Sequence, residues 1–223
     1  MKLIKGYYIP DNDTHFHGYF TQFDHYQEAQ RNRALSHVSD WENAIDIGAN
    51  IGLWSKDLTS FFSKTYCFEP NTNCIECLTN NINTSKAEIH NFALGSKSSD
   101  DFIYCPDSTG GSSLINKTKF LGQDDAGKEI WDKFDINVPR QKVKIKTLDS
   151  FKLENINFIK IDVQNYELEV LRGAIETLKN NNPIICIEEL KKNLEDSDEI
   201  AFLQSLNYTV IDKIVKEVIL KKN

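Results

Sequence analysis

The stretch AIDIGANIGLWS (44–55) brings an acid, an amide and two glycines into one turn between an apolar run and a helix-like segment. Glycine allows a positive φ and lets the backbone approach a ligand closely. A strand, a glycine-bearing turn and a helix start together cradle nucleotide-like cofactors at the carboxyl edge of open α/β sheets. Gly48, Ala49, Asn50 and Gly52 stand at that edge, and Glu69 ends the next strand-like run, KTYCFEP (64–70). The two oxygens of a carboxylate match the two hydroxyls of a ribose. Without a ligand, the same Glu69 would simply cap a following helix.

The turn departs from the dinucleotide fingerprint G-x-G-x-x-G, because it reads D-x-G-x-N-x-G with Asp46 at its head. A negative charge is unwelcome beside a pyrophosphate and suits an ammonium or sulfonium group, both of which S-adenosyl-L-methionine carries. A nicotinamide cofactor is therefore disfavoured. Further acids end other apolar runs: Asp162 after NFIKI, and Glu188 with Glu189 after PIICI. His15 and His17 in THFHG belong to the side-chain type that titrates near neutrality. Cys74 and Cys77 form a C-x-x-C, but they fall in an expected helix with no second ligand pair. Neither zinc nor a disulfide is expected there, and no metal site is expected elsewhere.

These residues need a scaffold, and the chain supplies an alternation of strands and helices. Strands are expected at 44–48, 64–70, 87–94, 102–105, 143–149, 157–162 and 183–189. Helices are expected after Gly52, over 72–82, over about 165–178 and after Ser197. Such alternation implies a mostly parallel sheet with right-handed crossovers. YTVID (208–212) and IVKEVIL (214–220) are too close for a crossover and must form a hairpin, placing an antiparallel strand at the end of the series. Residues 1–43 read as a lead-in segment with one helix in FDHYQEAQRNRALSHV. Residues 44–223 read as the main domain, with a long polar insertion over 106–141 near the site.

The 223 residues carry a formal net charge of −7 and are 40% hydrophobic and 26% charged, the profile of one globular domain. The acidic balance argues against general nucleic-acid binding, which needs a basic surface. No apolar run approaches a membrane span, the N-terminus lacks a signal-peptide pattern, and five cysteines fit a reduced, cytoplasmic location.

The chain resembles the FkbM-type S-adenosylmethionine-dependent methyltransferases. The resemblance is carried by AIDIGANIGLWS, CFEPN (67–71), NFALG (91–95), STGGSSL (108–114), TLD (147–149) and FIKIDVQNYELEVLRGA (158–174). It implies the class I, Rossmann-like fold, an α/β arrangement with a seven-stranded, mostly parallel sheet, a C-terminal antiparallel hairpin strand and helices on both faces. It also implies methyl transfer, commonly to oxygen. By position, Asp46, Gly48 and Asn50 would line the methionine end of the cofactor and Glu69 would hold its ribose. Pro70, Asn91 and Ala93 would edge the adenine, with Ser112 and Ser113 closing over it. Asp162 would face the methyl group and acceptor, with Glu167 close by. Tyr26, Gln27 and Arg31, with Asp13, would form a lid.

One departure stands out. The family commonly reads I-D-V-E-G-x-E where this chain has IDVQNYE, with Gln164 and Asn165. Gln164 cannot act as a base, so proton removal falls to Asp162, His15 or water, with His17, Gln27, Arg31, Gln164 and Glu188 as further candidates for contact with the acceptor. The expected activity is O-methylation of a small-molecule or glycan acceptor. A catalytically altered cofactor-binding or interaction module and, less favoured, a nicotinamide-dependent oxidoreductase are the alternatives.

Overall fold

The computed structural model describes residues 1–105, 112–114, 139–191 and 193–223. The chain opens with a two-stranded hairpin, β1 (Lys2–Ile4) and β2 (Tyr7–Ile9), followed by helices α1 (Thr14–Gln22) and α2 (Glu28–Leu35). The lead-in thus holds more structure than the single expected helix. THFHG lies in α1, where Asp13 is the N-cap and its carboxylate accepts from the Phe16 N–H at 2.6 Å. The reason is tertiary: Phe16, Phe20, Tyr7 and Ile9 bury themselves against Ile51, Leu53, Cys74 and Cys77.

The main sheet contains β3 (Asn43–Ile47), β4 (Lys64–Phe68), β5 (Ala87–His90), β9 (Ile156–Ile161), β10 (Ile184–Glu188), β11 (Tyr208–Ile214) and β12 (Glu217–Lys222). Its spatial order is β11-β12-β10-β9-β3-β4-β5. All neighbours pair in parallel except β12, which runs antiparallel to both β10 and β11. The hairpin strand is therefore inserted inside the sheet rather than added at its edge. The intervening helices are α3 (Ser55–Phe61), α4 (Thr72–Asn81), α5 (Glu167–Arg172), α6 (Ile175–Asn181) and α7 (Asp198–Ser205).

Period-two alternation divides the strand residues between two cores. Ile45, Ile47, Ile159, Ile161, Ile185 and Ile187 face Leu171, Leu178 and Leu203 of the later helices. Ala44, Phe158, Cys186 and Ile219 face Leu35, Trp54, Leu58 and Phe62 on the opposite side. Helices therefore cover both faces, as the continuous apolar runs require. Phe61, at the end of α3, is 55% exposed and packs beside Trp41 at the rim of this second core.

Three expected elements differ. The run 87–94 is not one strand: it leaves the main sheet at Asn91, whose amide donates to the carbonyls of Glu69 and Pro70 at 2.8 and 3.0 Å. Its second half, β6 (Ala93–Leu94), joins a separate three-stranded sheet with β7 (Ser99–Tyr104) and β8 (Arg140–Lys146), so the VKIK strand lies outside the main sheet. The helix expected over 165–178 is two helices, because a Cβ on Gly173 would stand 2.0 Å from the Gly95 carbonyl oxygen. That close approach of two backbones bends the chain between α5 and α6. Most of the 106–141 insertion, including residues 108–111 of STGGSSL, lies outside the described residues.

Gly48 is the tightest point of the scaffold. Its φ is +82°, and a Cβ there would stand 1.9 Å from the backbone oxygen of Asp162. Gly48→Ala combines a left-handed backbone with a direct clash and is expected to destabilise the fold by about 1–3 kcal/mol or more. Urea unfolding at unchanged m-value is the measurement, and a midpoint equal to that of the parent chain would contradict this packing.

Candidate active site

The carboxyl ends of β3, β9 and β10 bring the chemistry together, and strand register explains how. Asp46 pairs with Lys160, and Lys160 pairs with Cys186, so these three stand in one row on one face. Two residues further along each strand, the same register brings Gly48, Asp162 and Glu188 side by side at the sheet edge. The Asp162 N–H donates to the Ile47 carbonyl at 3.0 Å, while Gly48 and Ala49 donate to the Phe68 carbonyl at 2.9 and 3.0 Å. A cavity of about 460 Å³ opens over this edge, within the size range of small-molecule and cofactor sites.

One end of the cavity is built by the glycine turn and the end of β4. Gly48, Ala49 and Asn50 line it, and Asn50 adopts the left-handed backbone at φ 49°. Glu69 is 5% exposed. Its two oxygens accept from the N–H groups of Asn50 at 2.8 Å and Asn71 at 2.7 Å. Burial pushes this carboxyl up to about 7, although those two donors pull the other way. Each oxygen keeps a second acceptor position. Glu69 is thus a cap for the chain after β4 and a carboxylate presented to the cavity, and the two roles do not compete. Pro70, Phe92, Ala93, Leu94 and Ile103 form the apolar wall beside it. Ser112 and Ser113 close that wall: the Asn71 amide donates to the Ser112 hydroxyl at 3.1 Å, and the Ser113 hydroxyl donates to the Gln164 carbonyl at 2.9 Å.

The other end is acidic and amide-rich. The Gln164 amide donates to Asp162 at 2.9 Å and reaches Glu188 at 3.4 Å, tying two carboxylates together. Gln164 and Asn165 both have left-handed backbones, with φ of 58° and 73°. Asparagine tolerates that region better than most side chains, so the turn survives without the glycine common in the resembling family. Glu188 is pushed up to about 7, first by burial and then by the charge of Asp162; Lys216 lies 3.7 Å away. Asp162 moves the other way. Burial alone would raise it, but the Lys160 ammonium at 3.1 Å holds it below the usual carboxylate range.

Sequence reasoning overlooked Lys160. Its side chain is 3% exposed, and its ammonium lies 5.1 Å from the centroid of the Trp54 ring. Burial would lower its pKa, yet Asp162 and Asp46 raise it above the ordinary range, so the ammonium is charged. Asp46 is 1% exposed and accepts from the Ser55 hydroxyl at 2.5 Å. Burial raises its pKa against the pull of Lys160. The signal was available: in FIKID a lysine interrupts an apolar strand on the face opposite Ile159 and Ile161.

The lead-in roofs this end. His15, Tyr19, Tyr26 and Gln27 line the cavity, and Gln27 accepts from the Trp54 indole N–H at 2.7 Å. The Tyr26 ring lies 6.5 Å from that of His15 and 4.9 Å from that of Tyr19. Five candidates do not reach the cavity lining. Arg31 is buried, pairs with Asp57 and donates to the Tyr26 carbonyl at 2.8 Å, so it braces the roof. His17 lies on α1 with its buried Nε2 unpartnered among the described residues. Gly52 packs beneath Leu78, and Asn91 braces the Glu69–Pro70 backbone. Glu167 accepts from the Val163 N–H at 3.0 Å and supports the 163–166 turn from behind. Glu189, next to Glu188, turns away to Ser197.

An S-adenosyl group fits this donor set. Glu69 has free acceptor positions for a diol, the apolar wall suits an adenine, and the Gly48–Asn50 backbone can be approached closely. When bound, such a group supplies an electrophilic methyl carbon on sulfur.

Residues 46–210 match the sequence profile of the methyltransferase FkbM domain. Methyltransferase sdnD of Sordaria araneosa is 30% identical over 155 residues, and the match covers 59% of this chain and 60% of that relative's length. Among solved structures, methyltransferase FkbM from Methylobacillus flagellatus KT superposes with a TM-score of 0.51 at 15% identity, covering 81% of this chain and 43% of that one. Precorrin-6y C5,15-methyltransferase from Geobacter metallireducens GS-15 superposes with a TM-score of 0.52 at 12% identity over 100% of this chain and 99% of that one. At these identities the two superpositions establish the class I methyltransferase fold, and the profile match over most of the chain establishes that it belongs to the FkbM methyltransferase family.

Proposed function

We propose that this chain transfers a methyl group from S-adenosyl-L-methionine to a hydroxyl oxygen of a small-molecule or glycan acceptor. The observation that supports it is one continuous cavity with the buried carboxylate of Glu69 at one end and the Asp162–Gln164–Glu188 cluster at the other. Methyl transfer needs a nucleophile held in line about 3–3.5 Å from the carbon, and orientation supplies several kcal/mol of the barrier.

In this reading Asp162 accepts the acceptor's hydroxyl proton. It is the carboxylate kept charged, whereas its neighbour Glu188 holds a proton near neutrality and can donate a hydrogen bond. Gln164 donates to both and orients them, which suits an amide better than a third acid. His15, Tyr26 and Gln27 exclude water from above and contact the acceptor. Polar groups at the cluster and aromatic rings above it favour a hydroxylated molecule with an apolar face. Among the described lining residues the acidic end holds two lysines, Lys160, buried and paired with Asp162, and Lys216 at the rim, so it offers no broad cationic surface for a phosphate backbone.

Two outcomes test this. Calorimetry should show S-adenosylhomocysteine binding where NAD gives no heat. Because Glu69 is pushed up to about 7 and accepts from the diol when ionised, affinity should rise roughly tenfold between pH 6 and pH 8, with proton release. Glu69→Gln should weaken binding by about tenfold and flatten that dependence. Absence of binding at any pH would favour the non-catalytic module. With an acceptor in hand, Asp162→Asn should keep product binding and lower turnover by about 10²–10⁴-fold; full turnover would move the base to His15 or water.

A further inference from the structure

The reaction just proposed uses Asp162 but leaves a fully buried cation unexplained. Lys160 lies at the end of β9 with a side chain 3% exposed, and the one hydrogen bond its ammonium makes to a side chain, among the described residues, goes to Asp162 at 3.1 Å. The Trp54 ring covers it at 5.1 Å, and Trp54 is itself clamped by Gln27 from the lead-in. An ammonium is costly to bury unless opposite charge compensates it closely. A methionine of nearly the same shape would satisfy the packing under Trp54 at no such cost. A lysine here therefore calls for an electrostatic reason.

The charges facing it can be taken element by element. From β3 comes Asp46, its register partner, which is also held by Ser55 of α3. From β10 come Cys186, its partner on the other side, and Glu188 two residues beyond. From β12 comes Glu217, the register partner of Glu188 and 2% exposed. Lys216 sits outside Glu188 at the rim, and Tyr26 hangs from the roof. Around one internal lysine the fold has thus gathered four carboxyl groups. Only Asp162 is within hydrogen-bonding distance of its ammonium in the described residues, and Asp162 is also the one that Gln164 grips from the cavity side.

We propose that Lys160 is a positioning residue: its buried ammonium selects Asp162, out of this carboxyl cluster, as the member that stays ionised and faces the acceptor. Lys160 borders the cavity with a side chain only 3% exposed, and its ammonium is engaged by Asp162. It acts through Asp162, pinning one carboxylate oxygen from below while Gln164 holds the other. The remaining acids, relieved of that role, can carry protons without competing for the acceptor's. The inference rests on Asp162 being the proton acceptor, but its physical content can be read with no acceptor present.

The experiment is a carbon-13 titration of the aspartate side-chain carboxyl groups in the full chain, with the Asp162 signal assigned by its loss in Asp162→Asn. In the parent chain Asp162 should remain a carboxylate below the ordinary aspartate range. In Lys160→Met it should titrate about one pH unit or more higher, while Lys160→Arg, which keeps the charge, should stay closer to the parent. Equal titration of Asp162 in the parent and Lys160→Met would overturn the proposal. If the methionine variant does not fold, the nitrogen-15 signal of the Lys160 ammonium in the parent decides. It should shift at the pH where Asp162 titrates, and indifference to that step would also overturn the proposal. Calorimetry with S-adenosylhomocysteine on the parent reports separately on the cofactor reading, so the two can fail independently.

Discussion

A charge removed from water must find its opposite nearby, and the centre of this molecule is organised by that constraint. Lys160 stands in the interior row between β3 and β10, beneath an indole ring and within reach of Asp162. Isolated burial of such an ion costs several kcal/mol, so the row is stable only if Asp46, Lys160 and Asp162 are delivered together. The parallel register of three strands does this. A slip of one residue would send Lys160 into the apolar core formed by Ile159 and Ile161. The same register presses Gly48 against the backbone of Asp162, so the glycine turn after β3 and the acid after β9 share one support.

The carboxyl groups near this row do not behave alike. Glu69, Glu167 and Glu188 are each pushed up to about 7, mainly by burial, whereas Asp162 is held low by Lys160. A glutamate whose folded value lies above its ordinary 4.5 contributes stability that is present below that value. That contribution is lost as pH rises through 7. The fold therefore bears a cost at neutral pH from these three acids, the sign expected where a site keeps poorly solvated carboxyls for use.

The lead-in is joined to this centre rather than laid over it. Gln27 accepts from Trp54, Arg31 pairs with Asp57 of α3 and holds the Tyr26 carbonyl, and the β1–β2 hairpin is locked to α4 through Asn81. Displacing the roof would therefore expose the ring that covers Lys160. Among the described residues no helix is long and apolar enough to cross a membrane. Cys74 and Cys77 are buried beneath the hairpin, with the Cys74 thiol donating to the Asn50 side chain at 3.3 Å, so the C-x-x-C acts as packing.

Local pattern alone determined much. Apolar runs ending in Gly48, Glu69, Asp162 and Glu188 placed four sheet-edge positions, because periodicity and turn residues are properties of neighbours in sequence. The short link between the last two strands forced a hairpin for the same reason. Other features needed the assembled chain. The split of 87–94, the break at Gly173 and the helix over Thr14–Gln22 each arise from contacts between distant segments, which no local window contains. The site divides in the same way. Which acids stand at the sheet edge was legible residue by residue, but which of them is charged was not. That depends on a lysine, a tryptophan and an amide brought within a few ångströms by strand register, and electrostatic interaction is set by distance in space rather than along the chain.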